Sequence, residues 1–396
     1  MATANPISDD TSTAERASAD LLVLATAMPP EQFDGVLAHL AEAFSAERVI
    51  VATQDELAAH ASTTLRIVPV PRSGATLTLN PIDFINAYEI GREHEVRAVL
   101  LLGPGSDSLS PLALRTLADA VLNAVCDLVV PDYTLGPNTG LINSAILYPL
   151  TRALFAARAR FPLALDLGFS MRMSERLANA SRRFNAPNQD DALVWPVNEA
   201  IAAGFSVDEI DAGPRAVPQP ADVDISAILA RVTGSLFSDI EAKAAVWQRP
   251  RRPPAMRRPS ASTSPAGCVD DVSQIVEAFR LAYANLQEIW SLVLPPHSLL
   301  FLKRFSTVEA SAFRIPDNLW ARIVFDFLIA YRQRTINRGH LMGALIPLYL
   351  AWVASHINVT AAGTAPERHI EAVAAAFEAD KPYLVARWRW PDRFNS

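Results

Sequence analysis

The sequence predicts an α/β domain with a mostly parallel sheet, followed by a helical domain. In the first part of the chain, short apolar runs alternate with segments whose apolar residues have helical spacing. Such alternation is typical of a three-layer fold with helices on both faces of the sheet. Beyond residue 269 the pattern indicates helices. A chain of 396 residues, half of them hydrophobic, is long enough for two such cores.

Five apolar runs predict the strands of the sheet. They are short and rich in Val, Leu and Ile, as expected of parallel strands that are buried on both faces. The predicted strands are 21–26, 48–53, 65–70, 97–102 and 127–133.

Two helix starts are marked by a polar residue followed by proline. Asn80 precedes Pro81, and Ser110 precedes Pro111. The polar side chain can accept a hydrogen bond from the first turn, and proline fits the first helical position because it needs no N–H partner there. We therefore expect helices to begin at these two points.

Composition divides the chain into four segments. Residues 1–19 are small and polar and are predicted to be disordered, while 20–248 form the α/β domain. Residues 249–268 are rich in proline and arginine and predict a linker or an extended loop. Residues 269–396 form the helical domain. The basic segment could contact phosphate or an acidic partner, or simply be a solvated linker.

Charge and apolar patterning exclude several classes of protein. The net charge of -7 argues against nonspecific binding to nucleic acid or to an anionic membrane. The most apolar run, 341–357, is interrupted by Pro347, which favours a buried helix over a membrane span. The cysteines Cys126 and Cys268 form neither a disulfide framework nor a zinc motif. We expect a cytoplasmic protein, and the aromatic residues near its end suit domain packing or a homo-oligomer interface.

Candidate ligand-binding residues follow the predicted strands, because open α/β sheets bind ligands at the carboxyl ends of their strands. Asp55 follows the second strand, where it could contact a nucleotide or lie in a surface turn. Asp107 follows the fourth strand in "LLLGPGSDSLSP", where it could reach a metal or stabilise the start of the next helix. No dinucleotide-binding fingerprint, phosphate-binding loop or nucleophile elbow occurs in the sequence.

Residues 127–177 carry the most specific pattern, "DLVVPDYTLGPNTGLINSAILYPLTRALFAARARFPLALDLGFSMRMSERL". This segment resembles GT-A-fold glycosyltransferases related to mannosylglycerate and glucosylglycerate synthases. The resemblance extends over about 20–390, and its second motif region is 313–356. The matching residues of the first region are Asp127, Pro131, Tyr133, Gly140, Asn143, Tyr148, Pro149, Leu150, Thr151, Arg152, Ala153, Leu154, Pro162, Asp166, Gly168, Phe169 and Ser170.

The resemblance implies transfer of a hexose, with retention, from a nucleotide sugar to a small, glycerate-like carboxylated acceptor. It also implies Mg²⁺ or Mn²⁺ as cofactor. Asp166 matches the carboxylate that lies near the anomeric carbon, although it could equally cap a turn. Tyr148 and Arg152 lie one helical turn apart and could frame the acceptor site or pack structurally. Arg72 is the only cation near the position of the family's donor loop.

Several residues depart from the family pattern at the donor site. Gly103 and Gly105 stand where two metal-binding aspartates are expected, and 207–220 contains no histidine. Two glycines of the acceptor loop are replaced by Ala164 and Leu165. The sequence therefore lacks the metal ligands that the resemblance implies, and it predicts no metal site.

These departures leave two alternatives to metal-dependent transfer. One is a catalytically degenerate homologue that binds a ligand or regulates a partner. The other is a metal-independent transferase in which Arg72 or Arg152 neutralises the diphosphate.

Overall fold

The computed structural model describes residues 19–25, 28–60, 63–70, 80–184, 193–216, 224–249 and 271–390. Three predictions fall wholly or largely outside these residues: the disordered N-terminus, the linker 249–268 and the donor-site role of Arg72. The predicted domain boundaries stay predictions.

The described residues form seven strands and fourteen α-helices. The first two thirds of the chain hold all the strands, and the last third is helical. The elements of the α/β part are β1 (Leu21–Ala25), α1 (Pro30–Ala43), β2 (Val49–Gln54), α2 (Asp55–His60), β3 (Arg66–Val70), α3 (Pro81–Glu93), β4 (Ala98–Leu102), α4 (Pro111–Leu122), β5 (Leu128–Thr134), α5 (Tyr148–Phe155), β6 (Leu167–Ser170), α6 (Met171–Ser181), α7 (Pro196–Ala203) and β7 (Val207–Pro214). The remaining helices are α8 (Ile225–Ala242), α9 (Ala244–Trp247), α10 (Ser273–Val293), α11 (Pro296–Phe305), α12 (Asp317–Gln333), α13 (Arg338–Ala361) and α14 (Pro366–Arg389).

The seven strands form one mixed sheet in the order β3-β2-β1-β4-β6-β5-β7. All five predicted strands are present, and the sheet also contains β6 and β7, which the sequence did not predict. The predicted fold class is confirmed in its architecture: an α/β part with one seven-stranded sheet is followed by a helical region.

Strand β6 runs antiparallel to both of its neighbours, β4 and β5. Its first residue, Leu167, pairs with Leu101 near the end of β4. The start of β6 therefore lies at the same edge of the sheet as the carboxyl ends of the parallel strands. This reversal brings Asp166, the residue just before β6, to that edge.

Helices cover both faces of the sheet. On one face α1 and α4 pack on alternate residues of the central strands, such as Val23 and Leu100. On the other face, α3, α6 and the C-terminal helices share one continuous core that includes Leu22 and Trp320. The Trp320 indole N–H donates to the Ala145 carbonyl at 2.8 Å, which ties the helical region to the α/β part.

Both marked helix starts are confirmed. The Ser110 hydroxyl accepts a hydrogen bond from the Ala113 backbone amide at 3.2 Å. Asn80 forms a capping box with Asp83, in which the backbone amide of Asn80 donates to the Asp83 carboxylate at 3.1 Å. Each cap satisfies N–H groups that would otherwise lack a partner at the first turn.

Helix α13 contains the apolar run that the sequence assigned to a buried helix. It is the one helix of the described residues long and apolar enough to cross a membrane, yet 67% of its most apolar window is buried inside the protein. Here it is a core helix of the helical region. The cytoplasmic location stays a prediction.

Candidate active site

The carboxyl end of β4 lacks the acidic side chains that a divalent cation requires. Gly103 and Gly105 follow the strand, and Gly105 has a left-handed φ of 85°, which favours glycine. The Gly105 amide donates to the side chain of Gln32 at 2.8 Å. The turn after β4 is thus held by helix α1 and by its own glycine geometry.

The space beside Gly103 is occupied by Leu165. A Cβ atom added at Gly103 would lie 2.9 Å from the Leu165 Cβ and 3.1 Å from its carbonyl oxygen. The first distance is shorter than packed carbon atoms adopt, and the second is tight against a backbone atom that cannot rotate away. Glycine at 103 is therefore required by the close approach of residue 165.

Asp166 lies at the centre of a buried hydrogen-bond cluster. One carboxylate oxygen accepts from the Gly103 amide at 3.1 Å. The other accepts from the Tyr133 hydroxyl at 2.6 Å and from Nε of Arg215 at 2.8 Å. We call these four residues, Gly103, Tyr133, Asp166 and Arg215, the Asp166 cluster. Neither Asp166 nor Arg215 has appreciable contact with solvent.

Arg215 comes from the end of β7, which is parallel to β5 and so brings its next residue to the same edge. Its Nη2 atom also donates to the Pro104 carbonyl at 2.7 Å. The cation thereby links the end of β7 to the turn after β4. The sequence search of 207–220 looked for a histidine and overlooked this arginine.

The electrostatics of the cluster favour a charged, closed state. Burial disfavours the guanidinium, but the charges and hydrogen bonds of Asp166 and Tyr133 together raise the pKa of Arg215 above its ordinary value. Burial, and then the Asp166 charge, raises the pKa of Tyr133 well above its ordinary value, so that Tyr133 stays a hydrogen-bond donor. A ligand could reach the Asp166 carboxylate only after one of these bonds breaks.

The described residues do not fit a divalent cation. The Asp107 Cβ lies 3.1 Å from a Cβ built on Gly35 of α1, so the side chain packs beside that helix. The Asp166 carboxylate is already paired with Arg215. Across the described ranges, no three His, Cys, Asp or Glu side chains are grouped so that they could hold a metal ion. The described residues therefore form no site that would hold Mg²⁺ or Mn²⁺ through protein side chains alone.

Asp55 is exposed at the first position of α2, directly after β2. Its place at a helix start is one that a carboxylate favours electrostatically. The nucleotide-binding role of Asp55 stays a prediction, as do the donor-site roles of Asp107 and Arg72.

Tyr148 and Arg152 lie side by side on α5, where they meet helix α14. The Tyr148 hydroxyl donates to Glu371 at 2.7 Å, while Arg152 donates to Glu371 at 2.6 Å and to Glu378 at 2.9 Å. Burial disfavours the guanidinium, but the hydrogen bonds that it donates to Glu378, Tyr148 and Glu371 raise the pKa of Arg152. These contacts are the structural pairing that the sequence left open, and acceptor binding by either residue stays a prediction.

Sequence reasoning missed Arg160, a buried cation at the carboxyl end of β5. Its Nε and Nη2 atoms donate to the two carboxylate oxygens of Glu367 at 3.1 and 3.2 Å, and Nη2 also donates to the Ser144 hydroxyl at 3.0 Å. Its Nη1 atom is buried and has no hydrogen-bond partner in the described part of the chain. The only signal in the sequence is an arginine six residues before Asp166.

A small cavity of about 20 Å³ lies beside Arg160, between the end of β5 and the start of α14. Its walls carry hydroxyl groups as well as apolar atoms. The lining residues are Tyr133, Leu135, Gly136, Pro137, Thr139, Leu141, Ser144, Arg160, Phe161, Pro366, Glu367 and Ile370. We call this space the Arg160 pocket. A one-turn π-helix, Asn143–Leu147, forms part of its wall and positions Asn143 to donate to the Arg160 carbonyl at 2.8 Å.

The fold and site together define an α/β protein with a mixed sheet whose described strand ends carry no group of three metal-binding side chains. No protein-family model and no curated protein matches the sequence. Solved structures resemble it in part. Glucosyl-3-phosphoglycerate synthase from Mycobacterium tuberculosis, in complex with Mg²⁺ and uridine diphosphate, is 15% identical with a TM-score of 0.41, covering 57% of this chain and 80% of that one. The same enzyme with Mn²⁺, uridine diphosphate and glucosyl-3-phosphoglycerate gives 14% and 0.38, with coverages of 60% and 82%.

A further solved structure, a mycobacterial protein, is 14% identical with a TM-score of 0.41 and covers 57% of this chain and 76% of that one. All these matches are weak in both sequence and overall superposition. They carry no inference about ligands, which depends on the site itself.

Proposed function

We propose that this chain is a catalytically degenerate GT-A homologue that binds a small carboxylate and acts as a binding or regulatory protein. The observation that carries the proposal is the closed Asp166 cluster. The Asp166 carboxylate accepts hydrogen bonds from three protein groups at 2.6 to 3.1 Å. In the transferases that the sequence resembles, the matching carboxylate would instead have to face the sugar.

The loss of donor-site chemistry supports the same proposal. A nucleotide diphosphate needs a cation to offset its charge, and transferases of this fold supply one through carboxylate ligands. The turn after β4 offers glycines in their place, and Leu165 fills the space beside Gly103. A metal-independent route through Arg152 is also disfavoured, since its guanidinium already pairs with Glu371 and Glu378.

The Arg160 pocket is the place we propose for the ligand. Guanidinium groups bind carboxylates through two parallel N–H···O hydrogen bonds. In this structure the Glu367 carboxylate accepts both of these bonds from Arg160. The Glu367 side chain is 37% exposed and lies in the first turn of α14, so it can swing into solvent. A ligand carboxylate would then take its place, near the helix start that favours negative charge. The pocket is too small for a carboxylate until Glu367 leaves.

Isothermal titration of the full chain tests this function. We expect glycerate to bind without nucleotide or metal, and UDP-glucose and GDP-mannose to show no binding that depends on Mn²⁺. Glu367→Gln removes the internal competitor and should tighten glycerate binding about tenfold, or about 1.4 kcal/mol. Arg160→Met should abolish it. Glu371→Gln, one turn further along α14, is the matched control and should leave the affinity unchanged.

The competing function is retaining hexosyl transfer from a nucleotide sugar to a glycerate-like acceptor. It predicts metal-dependent nucleotide binding and a glycosylated product, and Asp166→Asn would then lower turnover by orders of magnitude. Detection of that product would overturn the proposal. Absence of both glycerate and nucleotide binding would refute the ligand assignment as well.

A further inference from the structure

A cavity of about 130 Å³ lies at the edge of the sheet opposite the candidate active site. It opens beside Leu21 and Val49, the paired first residues of β1 and β2. The Asp166 cluster lies at the other edge, where the parallel strands end. We call this space the amino-edge cavity. It shares no lining residue with the Asp166 cluster or with the Arg160 pocket, so a ligand bound there would occupy a separate site.

The floor of the amino-edge cavity is apolar. Leu21 and Val49 are each 1% exposed, and Leu122 of α4 is 8% exposed. Phe44, the residue that follows α1, adds a partly buried ring. An apolar cavity of about 150 Å³ in a protein core is large enough to bind benzene. The amino-edge cavity therefore has room for an apolar group of about four to six carbon atoms.

Two opposite charges stand on the rim of the cavity, one turn apart on α4. Nε and Nη2 of Arg115 donate to the Ala43 carbonyl at 2.9 and 2.6 Å, which fixes the guanidinium at the last turn of α1. Arg115 therefore does not pair with Asp119, although residues four apart on a helix are placed to do so. Within the described ranges, the Asp119 side chain makes no hydrogen bond or ion pair, and Nη1 of Arg115 donates to no residue.

The other charged groups of the cavity already neutralise one another. Nε of Arg48 donates to the Asp20 carboxylate at 2.8 Å, and Arg97 lies 3.8 Å from the second oxygen of the same carboxylate. Asp20 is thus satisfied by two cations. The cation and the carboxylate that remain without an ion-pair partner are both on α4. A complementary ligand carries a carboxylate and an ammonium group close together, next to an apolar group that fits the floor.

We propose that the amino-edge cavity binds an α-amino acid with an apolar side chain of the size of valine or leucine. The ligand carboxylate accepts from Nη1 of Arg115, and the ligand ammonium group donates to Asp119. The side chain lies on the floor formed by Leu21, Val49 and Leu122. A ligand of about nine non-hydrogen atoms that stays partly exposed should bind with a dissociation constant of about 0.1–1 mM. This inference does not depend on the proposed carboxylate binding at Arg160.

Isothermal titration of the full chain with L-leucine tests the site, and two analogues test its chemistry. Isocaproate lacks the ammonium group of leucine, and isopentylamine lacks its carboxylate. Each analogue loses one charge-assisted hydrogen bond, so each should bind at least about tenfold more weakly than L-leucine. Isocaproate binding as tight as that of L-leucine would overturn the amino-acid assignment. Absence of binding by both L-leucine and L-valine at about 10 mM would overturn the site itself.

Asp119→Asn locates the ligand in the cavity, and its exposed position on α4 leaves the core untouched. This variant should weaken L-leucine binding at least about tenfold but leave isocaproate binding unchanged, since isocaproate has no ammonium group to pair. Asp34→Asn, which removes an exposed carboxylate of α1 outside the cavity, is the matched control and should leave both affinities unchanged. Glu367→Gln should also leave L-leucine binding unchanged. Tighter L-leucine binding by Glu367→Gln would place the ligand in the Arg160 pocket and overturn the proposal, as would unchanged binding by Asp119→Asn.

Discussion

Replacing Arg215 with methionine should destabilise the protein strongly, because the charge it pairs with cannot reach water. The Asp166 side chain is 0% exposed and that of Arg215 is 2% exposed. Arg215→Met keeps the apolar length of the side chain but leaves the carboxylate buried without its cation, and leaves the Pro104 carbonyl without its donor. Removal of one partner from a buried pair costs about 3–5 kcal/mol in free energy of unfolding.

Arg152→Met is the matched comparison for this effect. Arg152 is nearly as buried, but its partners Glu371 and Glu378 are 36% and 38% exposed. Those carboxylates regain hydration when the guanidinium is removed, so the cost should be only about 1–2 kcal/mol. The difference between the two variants measures the burial of the partner charge.

Urea unfolding at pH 7, followed by circular dichroism, measures both variants. Adding Asp166→Asn to Arg215→Met removes the buried charge; the Asn oxygen can still accept from the Gly103 amide, while its NH2 group can donate to the Tyr133 hydroxyl oxygen. The double variant should therefore regain at least about 1 kcal/mol over Arg215→Met. If Arg215→Met costs no more than Arg152→Met, Asp166 is hydrated in solution and the site is open, contrary to the closed cluster.

Three further predictions concern packing, protonation and reactivity. Gly103→Ala should lower the midpoint of thermal unfolding, and adding Leu165→Gly should restore it only in part, because the Leu165 carbonyl stays 3.1 Å from the new Cβ. Burial, with help from His369, lowers the pKa of His356 to about 4. Between pH 7 and pH 5 the unfolded chain therefore binds a proton at His356 that the folded chain does not bind. The free energy of unfolding should fall by about 2 kcal/mol over that range because of this histidine. Urea unfolding of His356→Gln at the two pH values should lack this contribution. Burial, and then the charges of Asp208 and Asp127, raises the pKa of the Cys126 thiol to about 12. In a Cys268→Ser background, Ellman's reagent should therefore label Cys126 only after the chain unfolds. Rapid labelling of the native chain would contradict this.

The sequence predicted well those elements that local pattern defines. The five apolar runs became strands, and the caps at Asn80 and Ser110 became helix starts, since each depends on a few neighbouring residues. It failed at β6 and β7. Strand β6 is four residues long, and β7 contains three acidic residues, Asp208, Glu209 and Asp211, so neither has the continuous apolar run of a parallel core strand.

In the candidate site, too, the sequence shows which side chains are present, while only the tertiary structure shows which of them are in contact. Glycine at 103 and 105 can be read directly from the sequence, and neither position can supply a carboxylate at the end of β4. That Leu165 packs beside Gly103 is a tertiary fact, since 62 positions separate them and only the reversal of β6 brings them together.

By itself, the sequence predicted five of the seven described strands, the helix starts at Asn80 and Ser110, and the absence of carboxylates at positions 103 and 105. Only the tertiary structure decided that Asp166 pairs with Arg215, 49 positions away, and that Arg160 pairs with Glu367, 207 positions away. The physical reason is that a charged side chain buried in the fold takes its partner from whichever element the strand order and helix packing place beside it. The spacing of residues along the chain does not show which element that will be. Asp166 therefore resembles a catalytic carboxylate in the sequence but forms a buried ion pair with Arg215 in the fold.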